Sequence, residues 1–210
     1  MMKEIDAIIF DLGGVILNID FSNTQKALEQ LGLKDAGKHF GKYTQEGFFD
    51  QLDRGEINEN TLFEEIRKLL PEPAPNHLLR DAWNAMILDF SPQRISLLKQ
   101  VKTQYRTFLL SNTNAVHYPF YNRLIQDLGE DSLESLFHGT FLSFREGMRK
   151  PEPEFFLKLI NEYELNPENT VFIDDTEMHI EAAAKLGIRG IHLNDGADVC
   201  DLFEDNRLKT

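Results

Sequence analysis

The run Ile8–Leu17, IIFDLGGVIL, constrains this chain more than any other stretch. It is apolar up to an aspartate and then breaks at two glycines. A strand hydrophobic on both faces belongs in a buried parallel sheet, and ligands of open α/β sheets sit beyond the carboxyl ends of such strands. Asp11 is therefore expected where a carboxylate can attack a ligand, and the glycines let the backbone turn sharply beside it.

Four further apolar runs follow this first one, which reads as Ile5–Leu12: Arg106–Ser111, Gly139–Phe144, Thr170–Asp175 and Gly190–Asn194. Helical segments with clear start and stop signals lie between most of them. Ser91-Pro92 opens one, with Ile95, Leu98 and Val101 on one face. Pro153 stands near the start of another, and a third runs from Thr176 to a left-handed stop at Gly187. Strands alternating with helices predict an α/β fold, a Rossmann-like doubly wound parallel sheet.

The interval from Asn18 to Asp89 breaks this rhythm. It carries only helical patterns and is far longer than one crossover needs. Ser22 with Gln25 reads as a capping box ahead of a helix stopped by Gly32. Two more helices are expected at Asn60–Leu70 and Asn76–Ile87, with the turn Asp53-Arg54-Gly55-Glu56 before the first and a proline-rich stretch between them. The interval is expected to be an inserted helical cap domain (18–89) over a core built from 1–17 and 90–210.

Thirty-five acidic residues against 22 basic give a formal charge of −13. That balance disfavours non-specific binding to nucleic acid or an anionic membrane, and any anion site needs a local cation. A single cysteine, Cys200, excludes an intrachain disulfide and fits a reducing compartment. With no leader pattern or membrane-length apolar run, a cytoplasmic location is expected. The oligomeric state is open, a monomer being compatible with all of this.

Four features fall in order at strand ends or helix starts on the carboxyl side of the expected sheet: Asp11, Ser111-Asn112 in LLSNTN, Lys150-Pro151 at a helix start, and Asp174-Asp175 in VFIDD. Each alone has a bland reading as a cap or a solvated charge. Together they form a candidate site in which Lys150 offers a point charge to phosphoryl oxygens, while the Ser111 hydroxyl and the Asn112 backbone N–H hold others. A phosphate monoester dianion repels an attacking carboxylate, so attack requires neutralising charge. Mg²⁺ takes one or two carboxylates plus substrate oxygens and waters, and Asp11 and Asp175 can supply those carboxylates.

The strings FDLGGVI, LSNTN, MRKPEP and FIDDTEMHIEAA resemble the motifs of the haloacid dehalogenase-like superfamily over nearly the whole chain. Within it the chain is similar to helical-cap phosphatases, in particular the sugar-phosphate phosphatases akin to the bacterial α-glucose-1-phosphatase. The resemblance implies a Mg²⁺-dependent phosphatase with Asp11 as nucleophile, an aspartyl-phosphate intermediate and a small phosphorylated metabolite, such as a sugar phosphate, as substrate. It also implies a metal site of Asp11, the Gly13 carbonyl and Asp175, with Asp174 behind them or acting through water.

Gly13 departs from the superfamily's usual pattern, which has a proton-donating aspartate there. A positioned general acid contributes about 10²- to 10⁴-fold, so its loss weighs most on alcohol leaving groups of high pKa. Anomeric, acyl and aryl phosphates lose less. His117 and His179 are the candidate replacement acids, the bland alternative being that both are surface or helix-packing residues. His39, His77, His138 and His192 carry no functional reading. Cap aromatics Phe40, Tyr43, Phe48, Phe49 and Trp83 fit either a cap core or a sugar pocket, and Arg54 is a candidate substrate contact. DLGGV lacks the third glycine of a dinucleotide loop. The rivals to a phosphatase are a haloacid dehalogenase-type hydrolase, against which the acidic pair argues, a phosphomutase, whose proton shuttling needs the missing acid, and a non-catalytic binding module of the same fold.

Overall fold

The computed structural model describes residues 4–39 and 47–209. Five parallel strands form the central sheet: β1 (Ala7–Phe10), β4 (Arg106–Ser111), β5 (Gly139–Leu142), β6 (Thr170–Asp174) and β7 (Arg189–His192). Their spatial order is β5-β4-β1-β6-β7. The chain winds outward from β1 to β5 on one side, then returns to β6 and β7 on the other. The reversal lies at the carboxyl ends of β1, β4 and β6, the switch point where open sheets bind ligands.

Alternate residues of the strands feed two separate cores. Ile8, Phe10, Leu109 and Ile173 point into one, closed by α6 (Pro92–Val101) and α7 (His117–Asp127) through Ile95, Leu98, Tyr121 and Ile125. Ala7, Ile9, Phe108 and Phe172 point into the other, closed by Phe155, Phe156, Leu159 and Ala183 of α9 (Pro153–Glu162) and α10 (Glu177–Lys185). Burial on both faces explains why these strands read as unbroken apolar runs.

Between β1 and β4 lie α1 (Phe21–Gln30), α2 (Ala36–His39), α3 (Phe48–Asp53), α4 (Glu59–Leu69) and α5 (Asn76–Asn84). These helices bury a third apolar cluster, including Leu28, Leu52, Phe63, Ile66, Leu79 and Trp83. The interval is not purely helical, however. Leu17–Ile19 (β2) and Ile87–Phe90 (β3) pair as an antiparallel ribbon at the two points where the chain leaves and rejoins the sheet domain. Strands this short carry too little period-2 signal to be read beside helical patterns. The helix expected to run to Ile87 therefore stops at Asn84.

The expected capping box is also replaced. Asp20, not Ser22, caps α1, its carboxylate accepting from the Ser22 N–H at 2.9 Å. The lysine–proline pair at 150–151, joined by a cis peptide, precedes its helix rather than opening it, since α9 begins at Pro153. A short helix, α8 (Ser143–Glu146), follows β5, and a terminal ribbon of β8 (Phe203–Glu204) and β9 (Arg207–Leu208) closes the fold. No helix of the described residues is long and apolar enough to cross a membrane.

Candidate active site

Asp11 follows β1 directly, its N–H donating to the Ile173 carbonyl of β6 at 2.9 Å. Its Oδ1 accepts from the Leu12 N–H at 2.7 Å and lies 2.7 Å from Lys150 Nζ. Both contacts fall on one oxygen, so Oδ2 is the one left to act on a ligand. Lys150 is fully buried, 2.6 Å from Asp174 Oδ2 and above the Phe172 ring at 5.3 Å from its centroid. The Asn112 side chain clamps the lysine backbone at both ends, donating to its carbonyl (2.9 Å) and accepting from its N–H (2.8 Å). Asn112 thereby aims the ammonium through main-chain hydrogen bonds, a role the sequence did not reveal.

Asp174 is fully buried at the end of β6 and has its oxygens committed. Besides Lys150 it accepts from the Thr176 N–H at 2.8 Å and contacts His179 Nδ1 at 3.0 Å. Burial pushes its carboxyl up, but Lys150 and His179 outweigh this and hold it below the usual range. Burial likewise disfavours the charged lysine, and Asp11 and Asp174 reverse the sign. Asp11 itself is pushed up to about 8, first by burial and then by Asp174, with Lys150 opposing.

Asp175 stands opposite Gly14. A Cβ on Gly14 would overlap the Asp175 carboxylate, and Gly14 has φ +77°, so both space and backbone demand glycine. Thr176 Oγ1 holds Asp175 Oδ1 at 3.1 Å, and His192 Nε2 contacts the Asp175 carbonyl at 3.2 Å. Asp11 and Asp174 thus share one ammonium with Asp175 close by, and burial drives His179 toward neutrality. The excess negative charge and the oxygen donors of Asp11, Asp175 and the adjacent Gly13 fit a hard divalent cation. Asp11, Asp174 and His179 also present ligand atoms within 4.8 Å of one another.

The pocket over Asp11 is walled by Lys150, Asp175 and His179 from the sheet domain and by Asp50 and Arg54 from the helical layer. Arg54 does reach this pocket, but its guanidinium is engaged. Nε donates to Asp50 at 2.8 Å and both terminal nitrogens donate to Glu152. These bonds hold it above its ordinary pKa. Arg149 binds the same Asp50 at 2.8 Å and stands 3.6 Å from Asp53. Asp50, Glu152 and Arg149 were not singled out in the sequence, where they look like ordinary surface charges. Gly55 permits the close approach behind this network, since a side chain there would strike the Phe144 carbonyl.

Ser111 lies on the wall of a second cavity, between sheet and helices, that shares Gly13, Ile19, Phe21 and Asn112 with the Asp11 pocket. His117 is there too. Its ring stacks on Trp83 at 5.4 Å, Trp83 stacks on Phe49 at 5.4 Å, and Nδ1 contacts Asn84 at 2.8 Å. Burial lowers His117 to about 3, which suits the packing alternative and removes it as a charged proton donor. Phe49 and Trp83 line the cavity, Phe48 packs on the helical core, and Phe40 and Tyr43 lie outside the described residues.

Known phosphatases and a solved structure are similar to nearly the whole chain. A D-ribitol-5-phosphate phosphatase of Bacteroides thetaiotaomicron is 28% identical over 191 residues, covering 91% of this chain and 93% of that protein. A sesquiterpene phosphatase of Aspergillus oryzae is 28% identical over 202 residues, covering 95% of each. The crystal structure of a haloacid dehalogenase family enzyme from Bacteroides thetaiotaomicron superposes with a TM-score of 0.91 at 28% identity, covering 95% of this chain and 99% of that one. That enzyme is an aspartate-to-alanine mutant in complex with magnesium and inorganic phosphate. Residues 5–187 match one family throughout, and the chain belongs to the haloacid dehalogenase-like hydrolases.

Proposed function

We propose that this hydrolase is a Mg²⁺-dependent phosphatase of small phosphate monoesters that works through an aspartyl-phosphate on Asp11. The observation that carries the reading is the buried Lys150 ammonium held between Asp11 and Asp174 at the sheet's switch point. Asp11, Asp175 and the Gly13 carbonyl would hold Mg²⁺, with Asp174 behind them. The ion, when bound, supplies the positive charge that lets a carboxylate approach a phosphate dianion.

A carboxylate oxygen of Asp11 forms a bond to phosphorus while the ester P–O bond breaks, and the departing oxygen takes the electron pair. Lys150 holds a phosphoryl oxygen by charge, and Ser111 and the Asn112 N–H offer further donors. Water then attacks phosphorus, restoring Asp11 and releasing inorganic phosphate. Residues 18–89 act as the cap domain, keeping bulk water from the site. The Arg54–Glu152 and Arg149–Asp50 pairs join it to the sheet domain.

The acidic surface favours small substrates over polyanions. Similar proteins are named for a polyol phosphate and for a sesquiterpene, so membership leaves the alcohol part of the ester open. A screen of phosphorylated metabolites, sugar phosphates first, run with and without Mg²⁺ tests the proposal. Mg²⁺-dependent phosphate release that vanishes in Asp11→Asn is the expected result. Release that persists in the folded variant would overturn the covalent route.

A further inference from the structure

The cavity beside the Asp11 pocket measures about 130 Å³, and Leu17, Ile19, Phe49, Trp83, Met86 and Ile87 form the apolar part of its wall. An apolar protein cavity of roughly 150 Å³ takes up benzene, so this space matches one ring or a compact branched chain. The two spaces share Gly13, Ile19, Phe21 and Asn112, so the cavity adjoins the place a phosphoryl group at Asp11 and Lys150 would occupy.

Five of the eight polar side chains of this wall are committed to protein partners, Asp53 to Asn114 and Arg149 among them, while Ser111, Thr113 and Tyr121 present hydroxyls. Thr24 Oγ1 donates to the Trp83 carbonyl (3.0 Å) and accepts from the Met86 N–H (3.1 Å). Asn114 donates to Asp53 at 3.2 Å and accepts from the His117 N–H at 3.0 Å. His117 is taken by Asn84, and Asn112 by the Lys150 backbone. Among the described residues the buried Tyr121 hydroxyl makes no well-formed hydrogen bond, though the Thr113 side chain acts on it, and it can serve one ligand oxygen. A polyol entering here would leave most of its hydroxyls stripped of water and poorly matched, at a cost that an apolar group avoids.

We infer that the enzyme selects phosphate monoesters whose alcohol part is a compact, mostly apolar group about the size of one aromatic ring. The inference rests on the phosphatase reading and narrows it. Gly13, which lines both spaces, adds no polar side chain to either.

Two measurements test it. Calorimetry with the Mg²⁺-loaded protein should show benzylphosphonate binding at least tenfold more tightly than methylphosphonate, and Met86→Trp should erase that ratio by filling the cavity. In turnover, benzyl phosphate should exceed D-ribitol 5-phosphate at least tenfold in kcat/KM. Both esters release primary alcohols, so the comparison reads the cavity rather than leaving-group acidity. Equal affinities for the two phosphonates, or a preference for the polyol ester, would overturn the inference while leaving the phosphatase reading intact. Failure of inorganic phosphate and both phosphonates to bind, with no ester hydrolysed, would overturn the phosphatase reading and this inference with it.

Discussion

Lys150 Nζ lies 2.6 Å from Asp174 Oδ2 at a point where neither side chain reaches solvent. An ammonium cannot be buried there alone, and neither can the carboxylate. Asp174 therefore fixes the height and direction of Lys150, and Lys150 in turn faces Asp11 at 2.7 Å. The acidic pair after β6 divides its contacts: Asp174 serves the lysine, and Asp175 stands across from Gly14 with Oδ1 held by the Thr176 hydroxyl.

Removing the lysine should hurt stability as well as activity. Lys150→Met leaves Asp11 and Asp174 buried without their counter-charge, a loss of about 3–5 kcal/mol for breaking such a pair. Chemical denaturation should report the loss, and a variant as stable as the parent would show that the pair is not buried as described.

The two aspartates of the pair should separate in a metal titration. Asp175→Asn is expected to raise the half-saturating Mg²⁺ concentration at least tenfold. Asp174→Asn should act mainly by lowering kcat at saturating Mg²⁺, since it releases Lys150. Equal shifts in both variants would show that the division of roles is wrong. Gly14→Ala supplies an independent check. It forces a residue with a Cβ into φ +77° and against Asp175, so it should cost about 1 kcal/mol or more and weaken Mg²⁺ binding.

The acid side of the stability profile should belong in part to His117. Its folded pKa is lowered to about 3 against an ordinary 6.5, so the unfolded chain binds a proton that the folded chain refuses. Its contribution is full above pH 6.5 and is lost as pH falls from there toward 3. His117→Gln, which can still bond Asn84, should flatten that part of the profile relative to the parent. An unchanged acid limb in the variant would mean the ring is not buried neutral.

The central sheet was legible because its strands are apolar on both faces, so Ile8–Phe10 and Val171–Ile173 stand out without any alternation to decode. The site was legible for a related reason: Asp11 and Asp174 are charged residues placed directly after such runs. What escaped was set by contacts distant in sequence. Nothing near Asn112 announces that its amide clamps Lys150, 38 residues away. Arg54 reads as a turn residue until Glu152, 98 positions on, is placed beside it. The β2–β3 ribbon failed for lack of length, and Asp20 displaced Ser22 as a cap because either residue type can fill that role.

The last expectation concerns the proton that Gly13 does not provide. With glycine in place of an acid at position 13, kcat/KM should fall steeply as leaving-group pKa rises across a series of aryl and alkyl phosphates. Installing the acid is not a free substitution, because a Cβ on Gly13 would meet Ile19 Cδ1 at 3.0 Å. Gly13→Asp alone should therefore gain little, whereas Gly13→Asp with Ile19→Ala should raise alkyl phosphates more than aryl ones and flatten the series. The full gain for a positioned acid would be about 10²- to 10⁴-fold. A series already flat in the parent would mean that another group delivers the proton. Attention would then pass to Asp53 rather than His117. Asp53 is a buried carboxyl on the same cavity wall, its pKa raised by desolvation against the pull of Arg149 and Asn114. Loss of the flat series in Asp53→Asn, with Tm close to the parent, would identify it as the donor.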